Sequence, residues 1–225
     1  MLLNLIYLLS ALVAVGLLLL TEGGIGLALA GFVGCFLLSL LICFLIIWVA
    51  AKRSDPDKEH AEDDPFIRGI IKYYAPAVFR LLGCKIEVTG AEKLPRDSRF
   101  LLVSNHLADL DPGIFFTAFP DDQLSFIAKK EVAQMPIIGI LMRRILCQFV
   151  NRENDREALK TILKCISIIK EDQASIAVFP EGRIAGDNLM HHYRPGVFKI
   201  AQKANVPIVV CTLYGTQNIP KNIKK

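Results

Sequence analysis

The first 51 residues contain no Lys or Arg and a single acid, Glu22. This constrains the chain most, because an uncharged apolar block of that length has no stable place in water. Residues 2–20 form a nearly unbroken apolar run, with Asn4 and Ser10 as its clearly polar side chains. As a helix the run is about 28 Å long, close to the hydrocarbon thickness of a bilayer. Thr21-Glu22-Gly23-Gly24 interrupts it. Residues 25–51 form a second run, long enough to cross with some tilt, and Lys52-Arg53 ends it. The pattern predicts a transmembrane helical hairpin over 1–51 with both ends on one side. Basic Lys52 and Arg53, against Glu22 at the turn, place that side in the cytoplasm. Gly26, Ala30 and Gly34, four apart, predict a stripe of small residues along which the helices approach. A cleaved signal peptide would need a basic segment before the apolar run, and none is there. A hairpin buried in a soluble core would show a polar face, which the block lacks.

The remainder has a different composition. All 26 basic residues and 21 of the 22 acids lie in 52–225, an excess of five positive charges. A chain that is 53% hydrophobic is not disordered. Its six Cys show no C-x-x-C and no Cys/His cluster, which argues against a disulfide framework or a metal site and fits a reducing compartment. Residues 52–65 read as a polar linker, acidic between Pro56 and Pro65. Residues 66–82 place Ile67, Ile70, Ile71, Tyr74, Val78, Leu81 and Leu82 at helical spacing, with Pro76 expected to kink the helix. Arg68, Lys72 and Arg80 flank that face. The helix either lies on the lipid surface or packs on the following domain.

From Gly83 onward strands and helices alternate. Strands are predicted over 85–89, 100–104, 124–128, 147–150, 175–179 and 207–213. Helices are predicted over 111–118, 136–145, 152–170 and 195–204. The first of these has Asp111 as its cap and Pro112 in its first turn. The long helix over 152–170 points Leu159, Ile162, Leu163, Ile166 and Ile169 inward. The alternation predicts an α/β domain over 66–225 with a mixed, largely parallel sheet covered by helices.

Ligands in such sheets bind beyond the carboxyl ends of the strands. Asn105-His106-Leu107-Ala108-Asp109-Leu110-Asp111 lies there, after strand 100–104. Asp111 can accept from one ring nitrogen of His106 and leave the other as a general base. Equally, Asp111 caps the helix and His106 is a polar loop residue. Phe179-Pro180-Glu181-Gly182-Arg183 follows strand 175–179, and its turn projects Glu181 and Arg183 together. Arg183 is suited to bidentate phosphate binding; the bland alternative is a solvated turn with a local ion pair. Lys129 and Lys130 follow one strand and Arg152 another, so with Arg183 four basic residues at strand ends describe an anion pocket. His191-His192 has no second ligand pair and reads as surface loop. There is no Walker loop, no dinucleotide fingerprint, no G-x-S-x-G elbow and no aromatic-basic pattern for nucleic acid. Ser104 is not placed as a nucleophile by strand alternation.

Taken in order, these motifs resemble the glycerophospholipid acyltransferases of the bacterial PlsC type, the 1-acylglycerol-3-phosphate acyltransferase family. Asn105-His106 with Asp111 matches the N-H-x4-D block. Ala128-Lys129-Lys130-Glu131, Pro136, Gly139 and Val150-Asn151-Arg152 resemble the second block. Residues 179–183 match the third and Val206-Pro207-Ile208-Val209 the fourth. The commonest third block has a Thr between Gly and Arg, whereas Arg183 follows Gly182 directly here. The fourth often has a second Pro where this chain has Val210 or Cys211, and members usually add a strand beyond the point where this chain stops, at Lys225.

The resemblance implies an enzyme anchored in the cell membrane with its catalytic domain cytoplasmic. His106 would deprotonate a glycerol hydroxyl, which attacks an acyl thioester directly, with Asp111 steadying the imidazolium. Backbone N–H groups near the dyad would hold the oxyanion. Asn105, Glu181 and Gly182 would serve substrate binding. Arg183, with Arg152 and Lys129 or Lys130, would grip the acceptor's phosphate. No metal or cofactor is implied. The partners would be a lysophospholipid acceptor, acyl-CoA or acyl-carrier protein as donor, and the bilayer, with no nucleic acid. The alternatives are the same chemistry on glycerol-3-phosphate, another lysophospholipid or an aminolipid, a non-catalytic lipid-binding protein, and a thioester hydrolase.

Overall fold

The computed structural model describes residues 2–20, 24–52, 62–184 and 191–219. The chain divides into two compact units, 1–58 and 59–225. Most of the expected linker, residues 53–61, lies outside the described residues.

The first unit consists of α1 (Leu2–Leu20) and α2 (Gly24–Lys52). Leu17 lies at Gly31 and the Tyr7 ring stacks on Phe36 at 5.1 Å, so the two helices run antiparallel. The close approach is at Gly31, where a Cβ would meet the side chains of Leu17 and Val13. Gly26 and Gly34 face open space, which corrects the expected seam. The seam forms instead where Tyr7, Leu17 and Phe36 have side-chain surface to bury, which glycines lack. Ser10 and Ser39 each donate to a carbonyl four residues back in their own helix, Ile6 O and Cys35 O, both at 2.8 Å. That satisfies the hydroxyls without water. Among the described residues, one stretch, Gly24–Ile42, is long and apolar enough to cross a membrane. Leu5–Leu20 is apolar but shorter.

The second unit opens with α3 (Pro65–Leu81), capped by Asp64, which accepts from Phe66 N and Ile67 N at 3.0 and 3.2 Å. It buries Ile67 and Phe79 against the domain, runs through Pro76 and leaves Phe66, Val78 and Leu81 exposed. There follow β1 (Leu101–Ser104), α4 (Asp111–Ala118), β2 (Leu124–Lys129), α5 (Ile138–Arg144), β3 (Gln148–Val150), α6 (Asp155–Lys170), β4 (Ser175–Val178), α7 (Lys199–Ala204) and β5 (Ile208–Cys211). The strand order is β3-β2-β4-β1-β5.

Every strand pair is parallel, so the expected mixed sheet is a wholly parallel one. Leu101, Val103, Ile176 and Val178 meet α6 and α7 on one face. Leu102, Phe100, Leu124, Phe126 and Ala177 meet α3 and α4 on the other. Both faces are covered, which is why β1 and β4 are buried at every residue.

Two local expectations fail. Residues 85–89 form no strand. Lys85 and Glu87 pair at the surface at 2.6 Å and Ile86 alone turns inward, toward Phe79 and Ile114. A segment with that polar alternation cannot sit in a sheet buried on both sides. On α6, Leu159 and Leu163 are exposed while Cys165, Ile166, Ile168 and Ile169 are buried. Apolar residues on this helix form two overlapping stripes, and the packed one is shifted toward the C-terminal end.

Candidate active site

The parallel register aligns the ends of β1 and β4, with Val103 opposite Val178. His106 follows β1 and Phe179 follows β4. Their rings stack at 4.1 Å with an interplanar angle of 12°. Phe179 in turn stacks on Phe126 at 5.9 Å, so the imidazole rests on the aromatic part of the core.

Asp111 is fully buried and its Oδ2 accepts three hydrogen bonds. These come from Leu107 N at 2.7 Å, Ala108 N at 2.9 Å and His106 Nδ1 at 2.8 Å. Asp111 therefore does not cap α4. It is the first residue of that helix and it reaches back to the loop before it. Leu107 N and Ala108 N both donate to Oδ2, and His106 Nδ1–H donating to the same oxygen leaves the Nε2 lone pair free. Leu107 N and Ala108 N are occupied by Asp111, so those two donors are not available to an oxyanion.

Among the described residues no Ser, Thr or Cys side chain hydrogen-bonds to Nε2. The Ser104 hydroxyl donates to Asn105 Oδ1 at 3.3 Å. Burial pushes the Cys147 thiol up to about 12 and also raises Cys165 and Cys211. An uncharged buried thiol does not attack. The site thus offers a general base for a hydroxyl brought by the substrate.

The expected binding residues divide. Asn105 donates to Leu213 O at 2.9 Å and accepts from Leu213 N at 2.7 Å, tying the end of β1 to the segment after β5. Its amide straps those two segments together. Glu181 is buried in the turn and Gly182 takes φ +69°, a left-handed conformation suited to glycine. A Cβ on Gly182 would lie 3.2 Å from Arg194 Nε and 3.8 Å from Arg152 Cζ. Arg183 is exposed and its Nη2 meets His191 Nδ1 at 3.0 Å. Lys129 pairs with Glu131 at 3.2 Å and Lys130 with Glu157 at 3.8 Å, both exposed.

In the second block, Gly139 lets α5 approach the preceding turn. A Cβ there would collide with the Ala133 carbonyl group and lie 2.9 Å from Val132 O. Ile137, just before it, takes φ 65° and ψ −61° at the centre of a γ-turn closed by Ile138 N donating to Pro136 O at 2.7 Å. That conformation is strained for a β-branched residue.

The chain matches the Acyltransferase family over residues 85–214. It belongs to that family. The match contains the dyad, the second and third blocks and the turn carrying Arg194. Over 138 residues the acyltransferase is 34% identical to the 1-acyl-sn-glycerol-3-phosphate acyltransferase of Borreliella burgdorferi, covering 61% of this chain and 54% of that protein. Over 199 residues it is 30% identical to a probable 1-acyl-sn-glycerol-3-phosphate acyltransferase of Mycoplasma pneumoniae, covering 84% of this chain and 74% of that one. The chain spans about half the length of several curated relatives. The crystal structure of the 1-acyl-sn-glycerophosphate (LPA) acyltransferase PlsC from Thermotoga maritima matches with a TM-score of 0.62 at 20% identity. It covers 96% of this chain and 77% of that one, and shows the same fold.

Sequence reasoning missed Arg194 in this acyltransferase. Its N–H donates to Pro180 O at 3.0 Å, which fastens the segment before α7 to the third block. The available signal was an Arg placed directly before Pro195-Gly196, a position that proline holds extended.

Proposed function

We propose that this acyltransferase moves an acyl chain from a thioester to the free hydroxyl of 1-acylglycerol-3-phosphate, giving phosphatidic acid. The observation that carries the reading is the His106–Asp111 dyad with Nε2 free of any hydrogen bond among the described residues. The names borne by the relatives supply the acceptor. Nε2 takes the hydroxyl proton as the alkoxide oxygen attacks the thioester carbonyl. The tetrahedral intermediate collapses to the ester, expels the thiolate, and the imidazolium returns the proton to sulfur. Asp111 stabilises the imidazolium between those two transfers. Acyl-CoA or acyl-carrier protein is the donor class. The apolar helices α1 and α2 hold the enzyme as a two-span hairpin in the cell membrane, with the catalytic unit in the cytoplasm.

The test is purified full-length protein with lysophosphatidate and both donor types, read by mass spectrometry of product lipids, beside His106→Ala. Phosphatidic acid from the intact protein and none from the variant is the expected result. No product with any donor, or full rate in the variant, would show the reading to be wrong.

A further inference from the structure

Arg152 and Arg194 come from distant parts of the sequence, one after β3 and one before α7, and meet at Gly182. The distances of 3.2 and 3.8 Å from one point, the Gly182 Cβ position, place Arg194 Nε within 7.0 Å of Arg152 Cζ. Among the described residues neither guanidinium has a hydrogen-bond or ion-pair partner. Burial, and then the charge of Arg194, push the Arg152 guanidinium below its usual range, and Glu131 offsets this in part. Two adjacent cations, Arg152 half-buried and Arg194 exposed, with no partner among the described residues, are an unfavourable arrangement on their own. A bound dianion makes it favourable, and forked guanidinium donors fit phosphate oxygens.

Backbone anchors hold Arg194 in place. Arg194 N donates to Pro180 O, and Pro195 fixes the next turn. Gly182 is the position where a side chain would separate the two cations from the turn that carries Glu181. Arg183, by contrast, already meets His191.

On the proposed reading of the acceptor, in which Arg152 grips the phosphate, we infer that Arg194 is a further ligand of that phosphate monoester and closes a clamp with Arg152 over Gly182. An acyl-CoA donor also carries phosphates, and the kinetic arms separate the two sources.

The test uses the full-length protein with Arg194→Gln and Arg194→Lys, and Lys203→Gln as a remote charge control. Arg194→Gln raises the KM for lysophosphatidate roughly 10- to 100-fold, the loss of one charge-assisted hydrogen-bonding partner. It leaves the donor KM within about twofold. Arg194→Lys recovers part of the loss and the control changes neither constant. Inorganic phosphate raises the melting temperature of the intact protein and not of Arg194→Gln. An unchanged acceptor KM, or an equal rise in donor KM, overturns the clamp. Should the intact protein acylate no phosphorylated acceptor, the acceptor reading fails. Phosphate-dependent stabilisation lost in Arg194→Gln would then still support an anion clamp, and stabilisation unaffected by the substitution would overturn it.

Discussion

Replacing Asp111 by Asn tests the dyad with little change in shape. The carboxylate oxygen Oδ2 receives three hydrogen bonds between 2.7 and 2.9 Å, and an amide oxygen in the same place can still accept them. What disappears is the negative charge facing the imidazolium. At about 4 Å between charge centres and an effective dielectric constant of about 20, that charge is worth about 4 kcal/mol. The barrier rises by that amount only if His106 is protonated in the transition state, so kcat falls by about 10³-fold. The new amide NH2 takes the place of Oδ1, which is buried and unpartnered, and this costs about 1–3 kcal/mol of stability. Rates are therefore compared at a temperature well below the melting point of the variant. His106→Ala loses at least as much rate, and the double variant loses no more than His106→Ala, because Asp111 acts through the imidazole. Asp111→Asn retaining more than about a tenth of the rate, or a double variant showing the product of both losses, would refute the general-base assignment.

Phe179→Leu removes the ring face under the imidazole, a contact worth about 0.5–2 kcal/mol to a cation. It lowers kcat roughly 3- to 30-fold with the acceptor KM unchanged, read by steady-state kinetics. Arg68 donates to both oxygens of Asp63 and to Leu124 O and Ile145 O. Arg68→Met strands a nearly buried carboxylate and costs about 3–5 kcal/mol, measured by denaturant unfolding. The Cys147 thiol, at 9.0 when unfolded and about 12 when folded, binds its proton more tightly in the native state. Its contribution is fully present below pH 9 and is lost as pH rises from 9 toward 12, at about 1.4 kcal/mol per pH unit. Cys165 acts in the same direction. The Cys147→Ala/Cys165→Ala protein shows a flatter alkaline limb in thermal unfolding, and an identical limb would refute the assignment.

The parts legible in the sequence were those whose partners lie close along the chain. His106 and Asp111 are five residues apart, and a tight loop after a buried strand brings them together. The apolar strands 101–104 and 175–178 announced a sheet covered on both faces. What could not be read was set by distant contacts. Arg194 becomes notable only beside Arg152, more than forty residues earlier, and no local pattern couples them. Asn105 looked like a substrate ligand because it adjoins His106, yet the segment after β5 occupies its amide. Leu159 and Leu163 have the right spacing to be inward. The choice between two overlapping stripes was made by how α6 packs on β1 and β4, which periodicity does not specify. The strand expected at 85–89 had the right residue types but no place in a sheet whose faces are both apolar.

The geometry also divides the work of the site by rigidity. Asp111 is wholly buried, held by three donors, and supports a ring stacked on core phenylalanines. A proton transfer needs heavy atoms within about 2.6–3.2 Å, so errors of even a fraction of an ångström there reach kcat. Lys129, Lys130 and Arg183 lie at the other extreme, exposed and already paired with Glu131, Glu157 and His191. Exposed pairs of this kind are worth about 1 kcal/mol or less, so exchanging those partners for a phosphate alters affinity only modestly. Arg152 and Arg194 fall between: both unpaired among the described residues, Arg152 half-buried, and Arg194 exposed but anchored through its backbone N–H to Pro180 O. Substitutions should accordingly sort by position, with losses in kcat at His106 and Asp111, the largest rise in acceptor KM at Arg194, and small rises at Lys129, Lys130 and Arg183. A large kcat effect at any of those three exposed residues would mean that the phosphate end of the acceptor participates in the chemical step rather than only in binding.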